Sequence, residues 1–210
     1  AILDALDGRI ARLIKGTSEF GKELDSLTDF VSFGIAPVFI LYFWELNNYG
    51  KLGWAITLIY SVCCVLRLAR FNLTKIQEEE KWKNNFFEGI PSPAGGLLIL
   101  MPLIYDLTNL NFGLEVKKFT PYLTILIAIF LVSKIPTLAF KKISISPKET
   151  VFLLLGIGLI FISLLFYTLE TLLAFGAIYL ISIPFSILIY KNKSKKISEK
   201  ISDDTHEDIL

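Results

Sequence analysis

The stretch DALDGRIARLIKGTSEFGKELDSLTD, residues 4–29, carries four aspartates on two short helix-forming segments that adjoin long apolar runs. An α-helix turns by about 100° per residue, so the residues that share one face of each segment can be read directly from their spacing. The first segment has Asp4, Asp7, Gly8 and Ala11 on one face. The second has Gly21, Asp25, Asp29, Ser32 and Ala36 on one face. Carboxylates and very small residues therefore share a face on both segments.

The linker KGTSEF, residues 15–20, is short, so we expect the two segments to be antiparallel neighbours with their acidic faces towards each other. Four converging carboxylates repel one another unless cations neutralise them. A set of oxygen ligands without His or Cys suits two Mg²⁺ or Mn²⁺ ions, an arrangement suited to displacement at phosphorus. The small residues let a bulky anionic ligand approach the backbone, and Arg12 is placed to contact its phosphates. The alternative is that these acids only form ion pairs at membrane helix ends.

The composition identifies the setting as a membrane. Of 210 residues, 53% are hydrophobic and 20% are charged, and the mean hydropathy of +0.59 is too high for an ordinary soluble domain. The net charge of +1 argues against a nucleic-acid partner. Adjacent Cys63 and Cys64 exclude a disulfide framework, and the one histidine, His206, lies in a polar tail away from the acids.

Six apolar windows are each long enough to cross a bilayer, which requires about 20 residues. They are residues 24–46, 52–73, 90–108, 119–140, 150–169 and 171–190. Residues 1–15 resemble a further helix that is too short and has no start signal, so we expect its beginning to be missing. The sequence therefore predicts an all-α, polytopic transmembrane helical bundle of about seven spans. Residues 1–190 form its single domain, followed by a largely disordered polar tail at 191–210.

The basic residues predict the orientation of these spans. If the spans alternate, all but Lys51, Lys117 and Lys118 of the 21 Lys and Arg lie on one side, counting helix ends with their adjoining loops. The positive-inside rule makes that side cytoplasmic. The four aspartates belong to the same side. We therefore expect a multi-pass membrane protein whose active site faces the cytoplasm.

The acidic stretch reads D-x-x-D-G-x-x-A-R-x8-G-x3-D-x3-D, and in this it resembles the CDP-alcohol phosphatidyltransferase family at every defined position. The resemblance implies that Asp4, Asp7, Asp25 and Asp29 bind two divalent ions. It implies that Asp29 is also the catalytic base for the incoming alcohol. It further implies that Gly8, Ala11, Arg12 and Gly21 shape the pocket for the CDP moiety.

Three further stretches resemble the integral-membrane phosphatidylserine synthases of that family: DFVSFGIAP at 29–37, RLARFN at 67–72 and FFEGIPSPAGG at 86–96. The resemblance implies transfer of a phosphatidyl or archaetidyl group from CDP-diacylglycerol or CDP-archaeol to L-serine, release of CMP, and a homodimer. Arg67 and Arg70 are placed to bind the serine carboxylate, or else are interfacial anchors. Ser32 is placed to hydrogen-bond substrate, or else its own helix.

Two alternatives stay open at this point. The first is a member of the same family that uses glycerol 3-phosphate or inositol phosphate as its acceptor. The second is an ion-coupled membrane transporter, because acids within membrane helices also mark ion pathways. The sequence contains no G-x-S-x-G elbow and no serine–histidine pairing, so we expect direct transfer without a covalent phosphatidyl-enzyme.

Overall fold

The computed structural model describes residues 19–74, 86–108, 115–138 and 147–207. Within these ranges the α-helices are α1 Glu19–Asp29, α2 Ala36–Trp44, α3 Lys51–Thr74, α4 Ser92–Leu107, α5 Val116–Val132, α6 Pro147–Phe166 and α7 Thr168–Glu207. A π-helical segment, Phe30–Ile35, joins α1 to α2, and a 3-10 turn, Leu46–Tyr49, precedes α3. The predicted first helix, with Asp4, Asp7, Gly8, Ala11 and Arg12, lies outside the described residues.

The prediction of an all-α bundle is confirmed, and each of the six apolar windows corresponds to a helix or a continuous helical run. One small departure is an antiparallel pair of strands, β1 Phe86–Glu88 and β2 Pro136–Leu138. In the described part of the chain, three helical stretches have the length and hydropathy to cross a membrane: Glu23–Trp44, Lys51–Asn72 and Thr168–Tyr190. The count of about seven spans stays a prediction.

The π-helical segment has its origin in Pro37. A proline has no N–H to donate to the carbonyl four residues earlier, and its ring crowds that carbonyl, which here belongs to Phe33. The chain therefore widens to five-residue spacing, as the bond from the Ala36 N–H to the Val31 carbonyl records. The hydroxyl of Tyr60 on α3 donates to the Phe33 carbonyl at 3.0 Å, in place of the missing amide. The segment is thus held by the neighbouring helix.

Helix α5 ends earlier than the predicted window 119–140. It stops at Val132, and Ser133 takes an extended conformation with φ −65° and ψ 157°. Pro136 follows closely, and a residue that precedes a proline is disfavoured in helical conformation. The Ser133 hydroxyl donates to the Phe130 carbonyl at 3.0 Å and so satisfies one of the last helical acceptors. Residues 136–138 of the predicted window therefore form β2 rather than helix.

Helix α7 continues through the polar stretch to Glu207. The expectation of a largely disordered tail was therefore wrong for residues 191–207. The stretch holds five Lys and two Glu and has no Gly or Pro. Lys and Glu have high helix propensity, so an existing helix can propagate through it.

Contacts at both ends of the bundle agree with alternating directions of the first four helical runs. At one end, Lys117 at the start of α5 forms an ion pair with Asp106 at the end of α4, with 3.3 Å between nitrogen and oxygen. The same ammonium group lies over the ring of Trp44 at the end of α2. At the other end, Asn72 of α3 donates to Ser26 of α1 at 2.9 Å. Large apolar side chains on the outside of α6, such as Phe152 at 79% exposure, are typical of a surface that faces lipid.

Candidate active site

The two described aspartates lie on α1, which is a regular α-helix. Gly21, Asp25 and Asp29 are spaced four residues apart within one uninterrupted α-helix, so they lie along one face. Asp25 is exposed and Asp29 is half-buried at the junction with the π-helical segment. Their oxygen donors suit a hard divalent cation. Among the residues that the structure describes, no group of three or more His, Cys, Asp and Glu side chains is placed to hold a metal ion.

Ser32 does not continue the α1 face in the way the sequence predicted. The prediction assumed one continuous α-helix, and that assumption was wrong because Ser32 lies within the π-helical segment. Each residue turns by less than in an α-helix when the hydrogen bonds span five residues. The positions of Ser32 and Ala36 relative to Asp25 are therefore shifted. The Ser32 side chain is exposed, and its contact with substrate stays a prediction.

Arg67 is buried, with 9% of its surface exposed, close to the predicted catalytic base. One of its terminal nitrogens, Nη1, donates to Oγ of Ser92 at 2.9 Å, and the guanidinium lies 5.4 Å from the ring centroid of Phe71. It also interacts electrostatically with Asp29 across the α1–α3 contact. The interpretation of Arg67 as a snorkelling interfacial anchor is therefore wrong. Its guanidinium points into the bundle, towards Ser92 of α4.

Two further side chains lie near Arg67 on α3 and α4. Cys64 is buried one turn before it on α3, and Ser92, which accepts the hydrogen bond of Arg67, is fully buried at the start of α4. Tyr179 of α7 packs on the same apolar core with its hydroxyl buried. We call Asp29, Cys64, Arg67 and Ser92 the Arg67 cluster. Its members come from α1, α3 and α4.

Sequence reasoning did not assign Ser92 to the site, and it treated Cys64 as apolar packing. Cys64 is buried, as that interpretation required. Ser92 lies within the stretch FFEGIPSPAGG, so the resemblance carried a signal for it.

Arg70, the second predicted acceptor residue, contacts a helix end. Its Nη1 donates to the Val132 carbonyl at 2.7 Å, at the C-terminus of α5. A cation there satisfies a helix-end carbonyl and complements the negative end of the helix dipole. Arg70 thus has a structural partner, and its contact with the acceptor stays a prediction.

The glycines that follow Ser92 permit close helix packing. A Cβ added at Gly95 would lie 2.9 Å from a methyl carbon of Leu131, and one at Gly96 would lie 3.3 Å from the Phe33 carbonyl oxygen. Contacts this short would displace the neighbouring atoms. The small residues of this stretch therefore bring α4 against both α5 and the π-helical segment, which fixes Ser92 opposite Arg67.

Comparison with known proteins gives consistent results. A family model described as CDP-alcohol phosphatidyltransferase matches residues 1–132. A Helicobacter pylori protein named CDP-diacylglycerol–serine O-phosphatidyltransferase is 37% identical over 202 residues, which cover 92% of this chain and 81% of that protein. Proteins with the same name from Mycobacterium leprae and Methanocaldococcus jannaschii are 40% identical over 151 residues and 42% identical over 100 residues. These matches cover 70% and 47% of this chain, and 49% and 44% of the two relatives.

Proposed function

The chain belongs to the CDP-alcohol phosphatidyltransferase family, and we propose from this premise that it transfers a phosphatidyl group from CDP-diacylglycerol to L-serine with release of CMP. Its relatives in Helicobacter pylori and Mycobacterium leprae are named for that activity. The observation that carries the proposal is the burial of Arg67, whose guanidinium interacts electrostatically with Asp29. CDP-archaeol is the corresponding ether-lipid donor.

The acceptor chemistry follows from this pair of side chains. Serine has a carboxylate, for which a guanidinium is the preferred partner, and a hydroxyl three covalent bonds away. With the carboxylate at Arg67, the hydroxyl lies on the side of Asp29. The hydroxyl oxygen then attacks the β-phosphorus of the donor, its proton passes to the Asp29 carboxylate, and the bond from the β-phosphorus to the bridging oxygen breaks. CMP leaves with that bonding pair.

We further propose that Asp25 and Asp29 supply half of the ligands for two divalent ions, Mg²⁺ or Mn²⁺, with Asp4 and Asp7 supplying the rest. Bound ions would supply charge neutralisation at the pyrophosphate. The spacing of Asp25 and Asp29 on one face of α1 supports this assignment. In the same proposal Gly8, Ala11, Arg12 and Gly21 surround the CDP moiety, and Gly21 lies one turn before Asp25 on that face.

The site is proposed to open to the cytoplasm, since that end of the bundle carries most of the basic residues. The lipid chains of the donor then stay among the membrane helices while its nucleotide and the serine reach the site from water. Residues 191–210 would lie on the same side. A homodimer is also proposed, on the family resemblance alone, and the mass of the detergent-solubilised particle tests it.

The test is release of CMP by the purified protein. We expect release from CDP-diacylglycerol that depends on serine and on a divalent cation, and its loss in Asp29→Asn. Glu115→Gln, which alters an exposed acid at the opposite end of the bundle, is the matched control and should keep full activity. Equal turnover with glycerol 3-phosphate or inositol phosphate would contradict the choice of serine. Binding of Mn²⁺, followed by its electron paramagnetic resonance, should weaken in Asp25→Asn.

A further inference from the structure

Helix α3 holds the first described span on both sides of Asp29. The side-chain nitrogen Nδ2 of Asn72 donates to Oγ of Ser26 at 2.9 Å, three residues before Asp29. The Tyr60 hydroxyl donates to the Phe33 carbonyl at 3.0 Å, four residues after it. Since later residues of α3 contact earlier residues of the span, the two run antiparallel. The two hydrogen bonds thus fix the segment that contains Asp29 from one neighbouring helix.

Ser26 lies beside the acid-bearing face of α1. Successive residues of an α-helix are rotated by about 100°, so Ser26 is about 60° from Asp29 and about 100° from Asp25, with both acids on the same side of it. Burial agrees with this placement, because Ser26 and Asp29 are half-buried whereas Leu27 is exposed. In the described part of the chain, α1 therefore faces the bundle with the side that carries Ser26. The bond from Asn72 sets how far the two carboxylates are turned.

We propose that Asn72 is a positioning residue, which fixes the rotation of α1 through Ser26 and thereby sets the affinity of the two α1 carboxylates for divalent ions. This inference rests on the proposed function and deepens it. Divalent ions such as Mg²⁺ require oxygen ligands in a defined geometry, so a rotated helix presents its carboxylates less well. Asn72 and Ser26 carry no charge. Loss of their polar groups leaves the charge around the ions unchanged, and a change in affinity then reports geometry.

The experiment measures the dissociation constant of Mn²⁺ by electron paramagnetic resonance, in the full chain purified in detergent. Asn72→Ala and Ser26→Ala break the same bond from opposite sides. In each variant we expect the constant to rise about fivefold, as for the loss of one net hydrogen bond. The double variant should bind Mn²⁺ about as weakly as either single variant, because both substitutions remove one shared interaction. Ser26→Thr keeps the hydroxyl and should stay within about twofold of wild type.

Two controls remove similar groups that do not join α1 to α3. Thr28→Ala removes a hydroxyl of α1 that bonds the Leu24 carbonyl of the same helix at 2.8 Å. Asn47→Ala removes a side-chain oxygen that accepts a hydrogen bond from Tyr42 at the opposite end of the bundle. Both controls should bind Mn²⁺ within about twofold of wild type. A purely structural role of Asn72 would lower the melting temperature of Asn72→Ala and leave its Mn²⁺ affinity unchanged.

Steady-state kinetics gives a second readout. The Mn²⁺ concentration for half-maximal release of CMP should rise with the dissociation constant, and saturating Mn²⁺ should restore kcat to within about twofold of wild type. KM for serine at saturating Mn²⁺ should also stay within about twofold.

Three results would overturn the inference. The first is a Mn²⁺ dissociation constant that stays at the wild-type value in both alanine variants. The second is a Ser26→Thr variant that binds Mn²⁺ as weakly as Ser26→Ala. The third is additive losses in the double variant. If one alanine variant does not fold, the other decides, because each alone removes the bond.

The same measurements distinguish this inference from the proposed function. A wild-type protein that does not bind Mn²⁺ contradicts the proposed metal site and the inference together. A wild-type protein that binds Mn²⁺ and does not use serine contradicts the proposed acceptor alone. A wild-type protein that binds Mn²⁺ and uses serine, with test variants that match the controls, contradicts the inference alone.

Discussion

The hydrogen bond from Tyr60 to the π-helical segment gives a quantitative test of how the span that bears Asp29 is held. Tyr60 is fully buried, and its hydroxyl donates at 3.0 Å to the Phe33 carbonyl, for which Pro37 provides no amide. Tyr60→Phe keeps the ring and removes the donor. A partly buried carbonyl that loses its hydrogen-bond donor costs about 1–3 kcal/mol. We expect the free energy of unfolding to fall by that amount.

The assay is thermal unfolding in detergent, in which about 1 kcal/mol corresponds to a shift of about 2–4 °C for a chain of this size. Tyr42→Phe is the matched control, because the Tyr42 hydroxyl bonds a side chain at an exposed end and its loss should cost less than about 0.5 kcal/mol. An unchanged melting temperature in Tyr60→Phe would refute the reasoning that Pro37 makes the Phe33 carbonyl dependent on α3. Equal losses in the two variants would refute it as well.

Three other predictions concern packing and helix ends. Gly53→Ala should destabilise the protein by about 1–3 kcal/mol or abolish expression, because the new Cβ would lie 1.8 Å from a backbone oxygen of the preceding 3-10 turn. Gly156→Ala is the control and should not destabilise the protein, because its new Cβ has no neighbouring atom within 4 Å. Asn72→Ala and Ser26→Ala should be non-additive by about 0.5–1.5 kcal/mol in a double-mutant cycle of unfolding, whereas additive losses would contradict the bond. Arg70→Gln should lower the unfolding free energy by about 1 kcal/mol through the C-terminus of α5, and an unchanged melting temperature would argue against that contact.

Hydropathy and spacing were sufficient to predict the helices, because apolar length is a direct physical requirement of a membrane span. They also brought Asp25 and Asp29 to one face, since α1 is a regular helix. The ends of the helices were harder to predict from the sequence. Pro136 marked the end of α5 and Pro37 marked the π-helical segment, yet both prolines lie inside windows that are apolar on average.

The composition of the Arg67 cluster could not be predicted from one sequence. Arg67 was selected because a charge in an apolar span is costly and therefore conspicuous. A serine such as Ser92 is common in such spans and becomes informative only when tertiary packing brings α4 to α3. The electrostatic interaction of Asp29 with Arg67 likewise depends on how two helices are rotated about their axes.

The π-helical segment also separates the rotation of α1 about the helix axis from the rotation of α2 about it. After the segment, α2 turns Val38 and Leu41 into the apolar core; before it, in the proposed function, α1 turns its carboxylates towards the donor. Deletion of one residue within Phe30–Ile35 would restore α-helical spacing and rotate one half against the other by about 100°. Either Asp25 and Asp29 or the core residues would then face a different direction. The extra residue in that turn therefore allows the direction of the acidic face and the packing of the core to be adjusted separately.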